Sequence, residues 1–156
     1  MPLSQPLTEL LAPLFSVLPL NQAMPELLPA TSRSEEILRI ASTIAASPLF
    51  QNNKPLEAGL WLYVDDLDRS HTLSQAIETP IGSLWHGIMH RREGDFWNSK
   101  YWFRRAGSNH ALTSMDPGGF VDQVEQTYKN NPPDLLAHQR KEWENLFEFC
   151  AMGVAE

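Results

Sequence analysis

Two histidines and a glutamate in the middle of the chain have the spacing of a ligand set on one face of a helix. His90 follows His86 by four residues, and Glu93 follows His90 by three. In an α-helix their side chains fall within about 60° of one another. Imidazoles four residues apart can bind one divalent metal, and a carboxylate can complete the set while leaving positions open for water. The spacing predicts a metal site at His86, His90 and Glu93. The same three residues are candidate catalytic residues, and the histidines could transfer protons near neutral pH.

A second polar group lies upstream of this segment. Asp65, Asp66 and Asp68 follow an apolar stretch, and His71 comes soon after them. We expect Asp65, Asp66 and His71 to point into the same volume. His71 would then be another residue for proton transfer, and the two aspartates would be further ligand-binding residues.

Arginines and aromatic residues around the histidine pair indicate a second kind of ligand. A planar guanidinium group binds a carboxylate or phosphate through two parallel hydrogen bonds. The rings of Trp97, Tyr101 and Trp102 can form the walls of a small-molecule pocket. We therefore predict a pocket for a small anionic molecule. Its predicted ligand-binding residues are Arg91, Arg92, Trp97, Tyr101, Arg104, Arg105, Asp65 and Asp66.

The same arginines also have a purely structural interpretation. Arg92 falls within the apolar arc of Trp85 and Met89 on the predicted helix, and a buried arginine needs a partner. The upstream aspartates could supply it. Two arginines beside the histidines would also disfavour a bound cation. A buried network of charges therefore stays open beside the metal site and the anion pocket.

The pattern does not identify a reaction. Gly87 stands where the zinc-protease helix has a glutamate directly after its first histidine. Whether the protein is an enzyme is therefore left open, and a divalent metal is the only cofactor that the spacing suggests.

The elements that must position these residues are predicted to be helices. Thr79 and Pro80 can begin a helix that ends at Gly94, and Asp95 can begin a second one that ends at Gly107. Helical periodicity also predicts helices over 31–47, 55–67, 72–77, 120–128 and from 134 onward. No segment has the alternation of a strand. The sequence predicts a single all-α domain of about six or seven helices, without substantial sheet, built around a central helical hairpin.

Residues 1–30 contain six prolines and many leucines. Proline fixes φ and removes a backbone donor, so only a short helical piece over 8–18 is expected. Leucines exposed on a free arm would promote aggregation. We therefore predict an arm packed on the helical body 31–156, within one domain 1–156. An arm exchanged between copies, which would form an oligomer, is the alternative.

Composition limits the choice of partner and compartment. The chain has 156 residues, of which 42% are hydrophobic, which is enough for one domain with its own core. Its net charge of -7 argues against a nucleic-acid polymer as partner, although residues 84–107 carry a net +3. A single cysteine, Cys150, no signal-peptide pattern and no long apolar run predict a soluble cytoplasmic protein without membrane association.

The central block WHGIMHRREGDFWNSKYWFRRAG and the upstream segment WLYVDDLDRSH are distinctive when taken together. They resemble a family of small soluble proteins from bacteria and fungi. The likeness covers residues 60–107, about a third of the chain. No reaction is assigned to that family, so the resemblance implies no mechanism.

A second resemblance concerns the hairpin alone. The positions that carry it are Gly87, Gly94, Asp95, Phe96, Ser99, Phe103 and Ala106. They are spaced like the small and aromatic positions of a tetratricopeptide hairpin. His90 takes a place that is usually aromatic, and a solenoid needs about three repeats where one is visible. The resemblance implies the hairpin geometry and keeps a protein-interaction domain, with a protein partner, as an alternative function.

Overall fold

The computed structural model describes residues 1–30, 33–108, 110–112 and 115–152. These residues form nine α-helices, two 3-10 turns and no strand, which confirms the predicted all-α fold. The helices are α1 (Gln5–Val17), α2 (Glu35–Ala45), α3 (Pro48–Gln51), α4 (Lys54–Tyr63), α5 (Leu67–Gln75), α6 (Pro80–Glu93), α7 (Phe96–Ala106), α8 (Pro117–Thr127) and α9 (Pro133–Ala151). The described residues thus contain more helices than the six or seven that were predicted.

The central hairpin is formed by α6 and α7, with the predicted boundaries. Gly94 ends α6 in the left-handed region, with φ of 88°, where glycine is favoured because it has no Cβ. Asp95 then donates its backbone N–H to the His90 carbonyl and caps α7 by accepting from the Asn98 N–H. Only two residues separate the helices, so α6 and α7 are held as neighbours.

The two helices of the hairpin pack closely where α6 carries Gly87. The Ser99 hydroxyl donates to the Gly87 carbonyl over 2.6 Å. A Cβ atom at Gly87 would lie 2.9 Å from the Phe103 ring. Because Gly87 has no Cβ atom, the Phe103 ring can occupy the space beside it.

The aspartates of the upstream cluster lie at the start of a helix, not at the end of one. The prediction of a helix over 55–67 was wrong at its end, because α4 stops at Tyr63. Asp65 follows with a φ of 62°, and Asp66 caps α5 by accepting from the Arg69 N–H. Carboxylates are favourable at a helix N-terminus, where the dipole is positive. The segment 72–77 is consequently the second half of a helix that starts at Leu67.

The N-terminal segment forms a longer helix than expected. Ser4 caps α1, Pro6 lies in its first turn, and the helix continues through Pro13 to Val17. A proline in the first turn loses no helical hydrogen bond, since that N–H has no partner there. Leu7, Leu11 and Leu14 are fully buried and belong to the main core cluster.

Two aromatic residues connect the N-terminal segment and the last helix to the body. The Tyr63 hydroxyl donates to the Leu18 carbonyl over 2.5 Å, and burial raises the pKa of this phenol. The Trp143 indole on α9 donates to the Gly59 carbonyl over 2.8 Å, and its ring packs on Tyr63.

The predicted helix 31–47 is observed over Glu35–Ala45, and residues 31 and 32 lie outside the described part. None of the described helices has both the length and the apolar character needed to cross a bilayer.

Candidate metal centre

Three histidines from two helices come together on one side of the hairpin. His86 and His90 lie one turn apart on α6, and His71 approaches them from α5. One ring nitrogen from each can be chosen so that all three lie within 4.8 Å of one another. The structure therefore brings His71 to the predicted pair and forms a cluster of three imidazoles.

The position of His71 is set by the contact between α4 and α5. Ser70, the preceding residue, is fully buried, and its hydroxyl donates to the Ala58 carbonyl over 2.9 Å. This bond fixes α5 against α4, and the next side chain then faces α6. The His71 ring meets His86 and His90 edge-on, with ring centroids 4.8 and 5.4 Å apart.

His86 is the most enclosed member of the cluster. Its side chain stacks on His90 with centroids 4.7 Å apart, and on Trp102 with centroids 3.9 Å apart. Only 3% of the residue is exposed, and its Nδ1 atom has no hydrogen-bond partner in the described structure. Burial, followed by repulsion from His90 and His71, lowers the pKa of His86 to about 4. The ring is therefore neutral at pH 7, which is the form that binds a metal.

His90 has a carboxylate partner on its own helix. Its Nδ1 atom lies 2.5 Å from a carboxylate oxygen of Glu93. A partner on one ring nitrogen fixes the tautomer and leaves the other nitrogen free to act as a ligand. Glu93 is thus bonded to His90, and it belongs to a possible ligand group with His90 and Asp95 but not with His71 and His86.

A second group of possible ligands consists of His90, Glu93 and Asp95. Asp95 is already engaged, because its two carboxylate oxygens accept from the backbone N–H and the side-chain amide of Asn98. Glu93 is bonded to His90. The three histidines therefore form the better ligand set, since their ring nitrogens are not committed to helix capping.

Trp102 forms one wall of the cluster and connects it to an arginine. The indole is nearly parallel to His86, and the Arg105 guanidinium lies over the indole at 5.3 Å from its centroid. The order of the stack is His90, His86, Trp102 and Arg105. The Trp102 ring therefore borders the cluster, and the Arg105 guanidinium contacts that ring.

Arg91 points away from the histidines and is fully buried. Its two terminal nitrogens donate to the two carboxylate oxygens of Glu142 on α9 over 2.9 and 2.8 Å. Its guanidinium also lies over the Phe120 ring, 4.5 Å from the centroid. Arg91 therefore connects α6 to α9 through a pair that solvent does not reach.

Arg92 is also buried and is paired inside the protein. It donates to a carboxylate oxygen of Asp65 over 2.5 Å and to the Leu62 carbonyl over 3.0 Å. Arg33 forms a second ion pair with Asp65 over 3.1 Å. Burial lowers the pKa of Arg92, and Asp65 opposes that shift. Asp65 thus faces Arg92 and Arg33 rather than the volume shared by the histidines.

The remaining predicted site residues are not brought into the cluster. Asp66 caps α5 and pairs with Arg69, which reaches over Trp61. Trp97 and Tyr101 are exposed on the outer side of α7. Arg104 is exposed and borders a groove of about 750 Å³ between α7 and the start of α8.

Sequence reasoning missed the partner of Arg91 and the stacking of Trp102 on His86. Glu142, the partner of Arg91, is 51 positions away, and no local spacing relates the two. Trp102 was named as a possible wall of the pocket, but its stacking on His86 depends on how α7 crosses α6. A buried glutamate on the apolar face of α9 was the one available signal for the first pair.

No protein-family model, curated protein or solved structure matches the chain in comparisons with known proteins.

Proposed function

We propose that the protein binds one divalent transition metal through His71, His86 and His90, and that the metal carries an exchangeable ligand position. One observation carries this proposal: three imidazoles from two helices place a ring nitrogen each within 4.8 Å of one another. Three histidines with a fourth open position are a common ligand set of catalytic zinc. The proposal extends the predicted metal site by adding His71 and by placing Glu93 behind His90.

The dimensions of the cluster suit such a metal. Metal-to-nitrogen bonds of about 2.0–2.1 Å place tetrahedral ligand atoms roughly 3.3 Å apart. The nitrogens need to approach by up to roughly 1.5 Å, and one of the stacked His86 and His90 rings has to turn so that both in-plane lone pairs point at the ion. His71 is only partly buried and can make the larger adjustment.

The two arginines that follow His90 in the sequence do not face the cluster, and the arginine that borders it is Arg105, over the Trp102 ring. Arg91 is paired with Glu142, and Arg92 is paired with Asp65, which also binds Arg33. The low pKa of His86 keeps its ring neutral, so no proton competes for it at pH 7. Glu93 adds a negative charge behind His90 and makes that imidazole a stronger donor.

The chemistry that this site would supply follows from the open position. A divalent metal lowers the pKa of a bound water toward neutrality and polarises an oxygen of a ligand. Hydrolysis or hydration of a small anionic molecule is the reaction class that fits best. Arg91 and Arg92 take no part in it, since both are enclosed and their terminal nitrogens donate to protein partners.

Metal titration of the purified protein tests the proposal. Protein freed of metal by a chelator is titrated with Co²⁺, whose visible absorption reports a tetrahedral nitrogen site, and then with Zn²⁺ in competition. We expect one ion per chain. His71→Ala removes a ligand from a partly exposed position and is expected to weaken binding at least 100-fold without unfolding the protein.

A histidine outside the cluster provides the matched control. His138 on α9 stacks on Phe120 and has no part in the cluster. His138→Ala should leave the Co²⁺ spectrum and affinity unchanged. Absence of saturable binding in the wild type, or equal losses in His71→Ala and His138→Ala, would exclude the site.

A further inference from the structure

A row of exposed side chains runs along α7 beside the histidine cluster. Trp97, Tyr101 and Arg105 are spaced by four residues, so they lie above one another on one face of the helix. We call these three side chains the aromatic ridge. Trp97 is 71% exposed and Tyr101 is 38% exposed. Large aromatic side chains are buried on average, so two adjacent exposed aromatic rings indicate a binding surface.

The two rings of the ridge present flat faces for stacking. The Trp97 and Tyr101 rings are almost parallel, with 8° between their planes and 6.1 Å between their centroids. Tyr101 is also held edge-on by Trp102 with centroids 5.3 Å apart. Tyr101 therefore has a neighbouring ring on either side, and this restraint reduces the entropy lost when a planar ligand stacks on it.

Arg105 completes the ridge with a fixed positive charge. Its guanidinium lies over Trp102, and its Nη1 atom donates to the Tyr101 hydroxyl over 3.3 Å. No carboxylate of the described residues pairs with Arg105 or with the adjacent Arg104. A guanidinium has five N–H donors, so most of those of Arg105 are free for an anion. Its position beside the rings is set by the protein.

We propose that the aromatic ridge binds a small planar aromatic molecule that carries a phosphate or carboxylate group. The ring stacks on Trp97 or Tyr101, and the anionic group accepts from Arg105. Charge favours this occupant over a second copy of the chain. A symmetric contact would bring Arg104 and Arg105 of both copies together, whereas a ligand anion neutralises them.

The ridge also identifies a class of substrate for the histidine cluster. Trp102 contacts Arg105 on one side and stacks on His86 on the other. An anion held by Arg105 therefore lies across the Trp102 ring from His86, so a substrate has to extend past the edge of that ring to reach the proposed metal. Only this role as a substrate rests on the proposed function, because binding to the ridge needs no metal.

The test uses adenosine monophosphate as a planar aromatic anion. Full-length protein is kept free of metal with a chelator, and binding is followed by the NMR shift of the Trp97 indole N–H, assigned with Trp97→Ala. Adenosine supplies the ring without the anion, and inorganic phosphate supplies the anion without the ring. We expect adenosine monophosphate to bind at least tenfold more tightly than either. Trp97→Ala and Arg105→Ala should each weaken binding about fivefold to tenfold, as followed by calorimetry.

Matched surface substitutions complete the test. Phe149→Ala removes an exposed aromatic ring on α9, and Arg39→Ala removes an exposed arginine on α2. Both should bind like the wild type. Equal affinity for adenosine monophosphate and phosphate, or unchanged binding in Trp97→Ala, would overturn the proposal. A dimer in sedimentation that Trp97→Ala dissociates would also overturn it, since a second copy would then occupy the ridge. Because no metal is present, these results do not depend on whether the histidine cluster binds one.

Discussion

Neighbouring residues on α6 have opposite surroundings, and this difference defines the candidate site. His90 faces His71 and His86, while Arg91 reaches Glu142 and Arg92 reaches Asp65. Each step along a helix turns the side chain by about 100°. The three residues therefore lie in one run of sequence without sharing one site. The arginines stabilise the packing around α6, and the histidines remain available for a ligand.

Glu93 is expected to tune metal binding through His90. Glu93→Gln keeps the size of the side chain but removes the charge that polarises the imidazole. We expect Co²⁺ affinity to fall about tenfold, and up to about 100-fold in Glu93→Ala, as is typical for partners of metal-binding histidines. Competitive titration with a chelator measures the change. Glu78→Gln, on an exposed carboxylate before α6, serves as the control. Unchanged affinity in Glu93→Ala would show that the bond to His90 has no such role.

The Arg91–Glu142 pair is expected to behave as a buried unit. Arg91→Met leaves the Glu142 carboxylate buried without its partner, which costs about 3–5 kcal/mol in the free energy of unfolding. Adding Glu142→Leu removes that lone charge and should recover much of the loss. Denaturant unfolding measures both. Lys141→Met breaks an exposed pair with Glu144 and should leave the midpoint of denaturant unfolding nearly unchanged. A double variant less stable than Arg91→Met would contradict this account.

At the scale of the elements, the hairpin was predictable and the segment before it was not. Local signals set the ends of α6 and α7, namely Thr79-Pro80, Gly94, Asp95 and Gly107. Asp65 and Asp66 gave a weaker signal, because acids after an apolar stretch can end one helix or begin the next. The chain leaves the helical conformation at Asp65, which has a positive φ and lies between α4 and α5. The sequence therefore predicted correctly that His86 and His90 share one face of a helix. The direction of the His71 side chain depends on the boundary between α4 and α5, which was predicted at the wrong position.

Gly87 is expected to control the distance between α6 and α7. An alanine there would place its Cβ 2.9 Å from the Phe103 ring, so the ring or the helix has to move. We expect Gly87→Ala to lower the free energy of unfolding by about 1–3 kcal/mol, as overpacking does. Adding Phe103→Leu should recover part of the loss. Denaturant unfolding again provides the measurement.

A second glycine gives the matched control for this substitution. A Cβ at Gly118 would meet only the Asp116 carboxylate at 3.9 Å, an ordinary contact. Gly118→Ala should be neutral or slightly stabilising, because alanine restricts the unfolded chain. A stable Gly87→Ala variant that keeps its Co²⁺ affinity would show that the close approach of the two helices is not required.

At the scale of the whole molecule, the charges are divided between a core network and the α7 surface. The chain carries a net -7, yet residues 84–107 carry a net +3. Arg91 and Arg92 form ion pairs with buried carboxylates, while Arg104 and Arg105 lie at the surface. Anions are therefore attracted to the end of α7 and repelled by much of the remaining surface. The sequence predicted this local excess but could not separate the buried arginines from the exposed ones.

The buried His86 is expected to make the stability of the whole fold depend on pH. Its pKa is about 4 in the folded protein, compared with 6.5 for a free histidine. Between these values the unfolded chain binds a proton that the folded protein does not bind. The contribution of His86 to stability is thus complete above pH 6.5 and is lost as the pH falls toward 4. We expect the melting temperature of the metal-free protein to fall by roughly 5 °C or more over this range. His86→Gln cannot titrate, so its melting temperature should fall less steeply, whereas His138→Gln should follow the wild type. Parallel curves for His86→Gln and the wild type would show that His86 is protonated as easily in the folded protein as in the unfolded chain.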